Sequence, residues 1–449
     1  MPSNTELTIH LLVQITAILA ACRITGLVLR RVGQTQVTAD MVAGFLLGPT
    51  LLGAALPGVF HWLFPASLVL HGTGGQAVTV THPAMTVLYE LGQLGLVLYM
   101  FLVGLSFNTA ALVGHVRRSV VVSLTGVAVP VLLGGVLGWV LAGRHDFFPA
   151  GIAHWQGALF FGSALAITSF PMLARIIYES GLSGTRIGTV ALACAAFDDA
   201  VAGILLAVVI STATGNPAVA AIALGGTVGY VLVMVGPGRH AARRLARWAR
   251  RDREVRPEAL VVVTGIVLLC AALTEQLGVY AVFGAFVAGT VLPRGELTGQ
   301  LRRWLEPTTV YLLLPMFFVY AGLNTRLSLL LTPSAAVVLA GTILVAFTGK
   351  AGACYLACRV QRFGHREAAS LAVLMNARGL MELILLSIGL EKHLITPATY
   401  TVLAVMTVVT TLATSPLYQR IQRRGRPPAR ADGTAGDERA VPRSMAPVP

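Results

Sequence analysis

The sequence predicts an all-α polytopic membrane protein of about thirteen transmembrane helices, arranged as inverted repeats with two discontinuous helices crossing near the midplane. Apolar residues make up 55% of its 449 residues and charged ones only 12%, with a mean hydropathy of +0.76. A soluble domain carries roughly 25% charged residues. Apolar runs of about twenty residues, the length that spans a bilayer, recur along the chain. A large soluble helical protein would need polar helix faces, and these runs lack them.

Thirteen spans can be read, at about 7–29, 37–53, 84–106, 119–142, 155–177, 184–212, 216–236, 258–277, 279–292, 305–324, 333–358, 366–390 and 397–417. Spans 2 and 9 are short. Arginines follow the odd-numbered spans: Arg30 and Arg31, Arg117 and Arg118, Arg186 after Arg175, Arg294 with Arg302 and Arg303, and Arg359, Arg362 and Arg366. The densest run, after span 7, includes Arg239, Arg243, Arg244, Arg247, Arg250, Arg251, Arg253 and Arg256. Even-numbered spans are followed by at most one basic residue. The positive-inside rule then predicts a cell (inner) membrane protein with the N-terminus outside and the C-terminus cytoplasmic. The net charge of +14 is thereby assigned to topology, and no nucleic-acid partner is expected. No cleavable signal peptide is evident, because the first run is long enough to span and lacks a small-residue cleavage site.

Two block pairs repeat in the same order. The stretch 98-LYMFLVGLSFNTAAL-112 matches 314-LPMFFVYAGLNTRLSL-329, and 43-AGFLLGPTLLG-53 matches 284-GAFVAGTVLP-293. Span 2 thus pairs with span 9 and span 3 with span 10. The offset of seven spans is odd, so the two copies are inverted, a transporter architecture with its site expected at the repeat interface. The expected organisation is a transmembrane domain over 1–419 and a tail over 420–449. Repeat one covers about 7–212, a linker helix about 216–236 and repeat two about 258–417. The tail, rich in Arg, Pro, Ala and Gly, reads as a disordered basic cytoplasmic segment.

Charges inside a bilayer are costly and are functional candidates by default. Asp198 and Asp199 lie mid-span in 191-ALACAAFDDAVAGILLAVVI-210, Lys350 inside span 11, and Arg378 and Glu382 inside span 12. Glu90 and Glu275 fall near span ends, where an interfacial position is expected. Adjacent helical residues point about 100° apart, so the two aspartates meet different surroundings. Close carboxylates resist ionising together, and one that is protonated part of the time can accept a proton or a hard cation in turn. Lys350 is informative because only it and Lys392 among 33 basic residues are lysine. Lysine changes protonation on burial far more readily than arginine. Arg378 and Glu382, four residues apart, are expected to form a structural ion pair on one helix face.

Two spans contain helix breakers: 166-AITSFPMLARI-176, with Thr168, Ser169 and Pro171, and 374-LMNARGLMELI-384, with Asn376 and Gly379. They are spans 5 and 12, again seven apart. Breaks at matched positions free backbone and hydroxyl oxygens for a cation. The expected cation and proton site is Asp199, Asp198, Thr168 and Ser169, with Lys350 coupled to it. Cys22, Cys194, Cys270, Cys354 and Cys358 read as small buried residues, and no cofactor is expected beyond transported Na+ or K+ and H+.

These motifs resemble the monovalent cation/proton antiporters of the second cation–proton antiporter group, which share the Na+/H+ exchanger-type fold. The stretch TSFPMLARIIYESGLSGTRIGTVALACAAFDDAVAGILLAV is similar to that family's broken helix and acidic helix. NARGLMELILLSIGL is similar to its second broken helix, and FTGKAGACYLACR to its lysine helix. AGFLLGPTLLG, MFLVGL and LGVYAVFGAFVAG match further blocks, so the likeness runs over about 5–417. It implies thirteen spans, a homodimer, an elevator motion of a core domain, and Asp199 as the carrier with Asp198 and Lys350 coupled to it. The chain departs from the family pattern at Ser106 and Gly203. Three other readings compete. A K+ efflux or channel-like protein of the same fold is the nearest. An intramembrane aspartyl protease needs aspartates on two helices, and these are adjacent on one. A transport-dead sensor needs a degraded motif, which is not seen.

Overall fold

The computed structural model describes residues 4–31, 34, 36–49, 51–65, 67–71, 77–106, 116–182, 185–214, 217–251, 254–277 and 281–423. The tail from 424, the stretch after Ser106 and His115 lie outside the described residues.

Among the described residues, helix covers most of each expected span, with spans 5 and 12 interrupted. Helices α1 (Asn4–Arg30) and α2 (Gln36–Leu47) are followed by the short α3 (Leu52–Ala55) and α4 (Pro57–Leu63), and then by α5 (Pro83–Ser106). Next come α6 (Val116–Ala142), α7 (His154–Ala166), α8 (Phe170–Glu179), α9 (Arg186–Thr214) and α10 (Pro217–Val233). The second half runs through α11 (Arg239–Ala249), α12 (Pro257–Gln276), α13 (Ala281–Val291), α14 (Glu296–Thr308) and α15 (Leu314–Leu323). It closes with α16 (Pro333–Val360), α17 (His365–Leu374), α18 (Leu380–Glu391) and α19 (Pro397–Arg423). Among the described residues, nine helices are long and apolar enough to cross a membrane, and α13 is a shorter apolar one. Thirteen is not reached by this measure, because spans 5 and 12 are each split into half-length helices and α10 has 17 residues.

The sequence reading treated the connections as loops, and the structure corrects this. Two antiparallel hairpins form, β1 (Ser67–His71) with β2 (Ala77–Thr81) and β3 (Arg250–Arg251) with β4 (Glu254–Val255). The arginine-rich stretches after spans 7 and 9 are the amphipathic helices α11 and α14, whose apolar residues Ala242, Ala249, Leu297 and Leu301 are buried. Their arginines fall on the opposite face, as a 3.6-residue period requires.

Packing divides the helices into two bundles. One joins α6, α7, α8 and α9 with α16, α17, α18 and α19; the other joins α1, α2 and α5 with α12, α13, α14 and α15. The repeat is visible in the second bundle. A Cβ on Gly322 of α15 would lie 2.2 Å from the Gly44 carbonyl carbon of α2, and one on Gly289 of α13 would lie 2.4 Å from the Phe101 oxygen of α5, beside Gly104. Exchanging span 2 with 9 and span 3 with 10 converts one contact into the other. Both crossings need glycine because backbone meets backbone there. Between the bundles, the Tyr400 hydroxyl donates to the Ala321 carbonyl at 2.9 Å and Gln34 Nε2 to the Leu412 carbonyl at 3.0 Å.

Candidate functional site

The two broken spans meet at their breaks. Between α7 and α8 the helix is interrupted over 167–169, with Ile167 in an extended conformation; between α17 and α18 the chain opens over 375–379. The Ser169 N–H donates to the Ala377 carbonyl at 2.9 Å, and the Thr168 hydroxyl donates to the Met375 carbonyl at 3.2 Å. Pro171 is the second residue of α8, where a missing N–H forfeits no intrahelical bond; it starts the second half-helix rather than interrupting a continuous one. Gly379 has φ +154°, and a Cβ there would lie 2.9 Å from Met172 Cγ. Glycine is required there on both counts.

Each break exposes a helix end. The last carbonyls of α7 carry the negative end of the helix dipole and lack intrahelical donors. Two cations meet them. Arg378 donates through Nη1 to the Ala164 carbonyl at 2.9 Å and to that of Ile167 at 3.4 Å, and through Nη2 to Leu165. Lys350 Nζ donates to the Ala166 carbonyl. Arg378 also reaches Glu382, at 3.6 Å. The expected pair is therefore present, but not on one helix face: Arg378 sits in the break, and its hydrogen bonds go to the other broken span. The Thr411 hydroxyl holds its backbone, accepting from the Arg378 N–H at 3.0 Å and donating to the Arg378 carbonyl at 2.8 Å.

The adjacent aspartates diverge as their helical spacing requires. Asp198 Oδ2 accepts from Lys350 Nζ at 3.0 Å and from the Thr168 hydroxyl at 2.6 Å, and Oδ1 accepts from Ser123. Asp198 and Lys350 are 1% and 0% exposed. Leaving either charge in such a place unpaired costs several kcal/mol, so the pairing and the hydroxyl donors together let it persist.

Asp199 is 8% exposed, yet neither carboxylate oxygen has a hydrogen-bond partner. The backbone N–H of Phe170, the first residue of α8, is directed at the carboxylate. Ser169 Oγ and Asn376 Oδ1, at the two joined breaks, are likewise buried and unpartnered, while Asn376 Nδ2 donates to the Ala372 carbonyl at 3.0 Å. Buried polar oxygens are ordinarily satisfied. Here a carboxylate, a hydroxyl and an amide oxygen are left open on the acidic helix and on the two breaks that pack against it, and such oxygens could receive a hard cation. Phe170 stacks edge-on against Phe286 of α13 at 6.0 Å, so this side abuts the second bundle.

Of the sequence-predicted site residues, the structure brings Asp198, Thr168 and Lys350 into one saturated network. Asp199, Ser169 and Asn376 form the unsaturated side. Ser123, Thr411 and Asp40 escaped the sequence reading. Ser123 is one hydroxyl in an apolar span, and Thr411 lies on a threonine face with Thr407, Thr410 and Thr414. Asp40 is 1% exposed in α2 and accepts from Gln36 Nε2 at 2.8 Å; its charge within span 2 was the available signal. Glu275 behaves as a span-end residue, accepting from the Ala281 N–H at 2.7 Å. All five cysteines are free.

Crossed half-helices around buried charges, set in one bundle against another, define a secondary transporter. The chain belongs to the sodium/hydrogen exchanger family, whose transmembrane model matches residues 15–420. It is 36% identical over 429 residues to the Na+/H+ antiporter NhaS4 of Synechocystis sp., covering 94% of this chain and 98% of that protein. It is 29% identical to the K+/H+ antiporter 1 of Saccharomyces cerevisiae over 93% of this chain, which spans 47% of that longer protein. The sodium proton antiporter MjNhaP1 from Methanocaldococcus jannaschii superposes with a TM-score of 0.59 at 14% identity, over 93% of this chain and 98% of that one; that likeness speaks for the fold. The chain is thus a multi-pass membrane protein whose relatives are transporters.

Proposed function

We propose that this protein is a secondary active antiporter that exchanges a monovalent cation, Na+ or K+, for protons by alternating access. The observation that carries this reading is the open, buried carboxylate of Asp199 beside the saturated Asp198–Lys350 pair. One net carboxylate suits one monovalent charge at a time. Among the described residues no group of three or more His, Cys, Asp or Glu gathers as a divalent site would need. Asp199, Ser169 Oγ and Asn376 Oδ1 would hold the cation, and Asp199 would take a proton when the cation leaves. Lys350 is coupled through Asp198: its bond to the Ala166 carbonyl ties the ammonium to the end of α7, so movement at the break bears on both. Arg378 keeps that end neutralised while the site loads and empties.

The bundle holding both breaks moves against the other, carrying the site from one face to the other; the few bonds between bundles are ones that must open. In this reading the protein crosses the membrane thirteen times, with its N-terminus outside and its C-terminus in the cytoplasm, works as a homodimer in the cell (inner) membrane and needs no cofactor. A cyanobacterial relative named for Na+ and a yeast relative named for K+ support either cation. Both are named antiporters, which supports exchange over channel-like efflux.

The test is cation-driven proton flux in proteoliposomes under an imposed pH gradient. Adding Na+ or K+ should collapse the gradient in wild type and leave it intact in Asp199→Asn. Cation flux that proceeds with no proton movement would instead establish the channel-like reading.

A further inference from the structure

The antiport reading leaves unexplained the platform built by α11, the β3–β4 hairpin and α14. Helix α11 turns Ala242 and Ala249 inward and Arg239, Arg243, Arg244 and Arg247 outward. Helix α14 buries Leu297 and Leu301 and exposes Arg303. The hairpin ties the two together, because Val255 is buried and Arg250 pairs with Glu296 of α14 at 3.5 Å. Among the described residues these five outward arginines have no acidic partner, whereas Arg302 is neutralised by Glu306 at 2.9 Å.

Each helix also exposes a tryptophan. Trp248 is 42% and Trp304 39% exposed, and the Arg256 guanidinium stacks over Trp248 at 5.6 Å. Next to the platform lie apolar side chains that face outward on the spanning helices: Leu232 and Val233 before α11, Val261 after it, and Tyr311 and Leu312 after α14. The arginines and tryptophans thus sit at the rim of a lipid-facing surface, on helices joined directly to spans. Indoles favour the headgroup level of a bilayer, and a basic amphipathic helix at that level attracts anionic headgroups.

We infer that this platform is a binding surface for anionic phospholipid headgroups of the adjoining leaflet. The exposed tryptophans beside outward apolar side chains favour a lipid over a soluble acidic protein, which would need no such rim. The surface is built on elements outside the bundle that holds Asp199, and the inference does not depend on the transported ion.

Tryptophan quenching in vesicles tests it. The full chain is placed in phosphatidylcholine vesicles in which one lipid in five is either brominated phosphatidylglycerol or brominated phosphatidylcholine. Subtracting the signal of Trp248→Phe/Trp304→Phe isolates the two platform indoles. The brominated anionic lipid should quench them about twofold more than the zwitterionic one, as local enrichment of anionic lipid requires. High salt should shrink that excess, and Arg243→Gln/Arg244→Gln/Arg247→Gln should erase it while cation-driven proton flux persists. Equal quenching of wild type by the two lipids overturns the inference, even if the variant fails to fold. So does equal quenching accompanied by saturable binding of soluble poly-glutamate, which would assign the surface to an acidic protein.

Discussion

Asp198 and Asp199 are neighbours in the chain, both buried, and opposite in circumstance. Asp198 is matched by an ammonium and two hydroxyls; Asp199 has neither oxygen partnered. One helical step, about 100°, separates them. That step turns Asp198 toward α6 and α16, where Ser123 and Lys350 wait, and Asp199 toward the start of α8. A saturated carboxylate contributes to holding helices together, and an unsaturated one is available to a ligand. The difference teaches that position in an apolar helix marks both as costly, while the surrounding donors decide which is structural.

The largest expected effect tests the open member. Asp199→Asn keeps size and removes the charge, so exchange should fall by more than about a hundredfold if Asp199 is the carrier proposed above. Thermal stability should hold or rise, because an unpaired buried charge is removed. A variant that transports normally would remove Asp199 from the mechanism. The same carboxylate predicts competition in wild type. If cation and proton share it, the KM for the cation should rise as pH falls while the maximal rate at saturating cation changes less. A KM flat across pH would separate the two sites.

Lys350 tests the saturated member. Lys350→Ala leaves Asp198 buried without its cation and should cost about 3–5 kcal/mol of stability, the usual result of breaking a buried pair from one side. Pairing it with Asp198→Asn should recover most of that loss in a melting experiment. The comparison sharpens if the double variant is stable yet exchanges with altered proton coupling, for then the pair takes part in transport. Wild-type coupling in the double variant would leave it a scaffold.

Much of this arrangement was legible in the sequence. The breaks at 167–169 and 375–379 follow from Pro171, Gly379 and their matched place in the repeats, and the acidic pair follows from the cost of charge in an apolar run. The division of labour between Thr168 and Ser169 was not legible. Both are adjacent hydroxyls in the break, where no helical period fixes which way either points, and only the placement of Asp198 shows that it claims Thr168. Arg378 was legible only in part: it reaches Glu382 as the spacing predicts, but the i,i+4 rule assumes a continuous helix, and the break also sends its guanidinium to carbonyls more than two hundred residues away in sequence. Asp40 was overlooked because a charge near the start of a short span reads as interfacial, whereas it is buried and bonded to Gln36. The helices α11 and α14 were read as loops because arginine density was taken for topology alone.

The finest test separates the two adjacent hydroxyls. Thr168 donates to both Asp198 and the Met375 carbonyl, so Thr168→Val strips a donor from a buried carboxylate and should cost about 1–3 kcal/mol of stability. Ser169 Oγ has no partner to lose, so Ser169→Ala should leave melting unchanged within about 0.5 kcal/mol. If that oxygen helps to hold the cation, the KM for the cation should instead rise a few-fold, by about the worth of one hydrogen-bond-strength contact. A melting shift on Ser169→Ala with an unchanged KM would reverse the assignment. Ser169 would then belong with the saturated network, and Asp199 would have to draw its ligands from Asn376 and the backbone of the breaks alone.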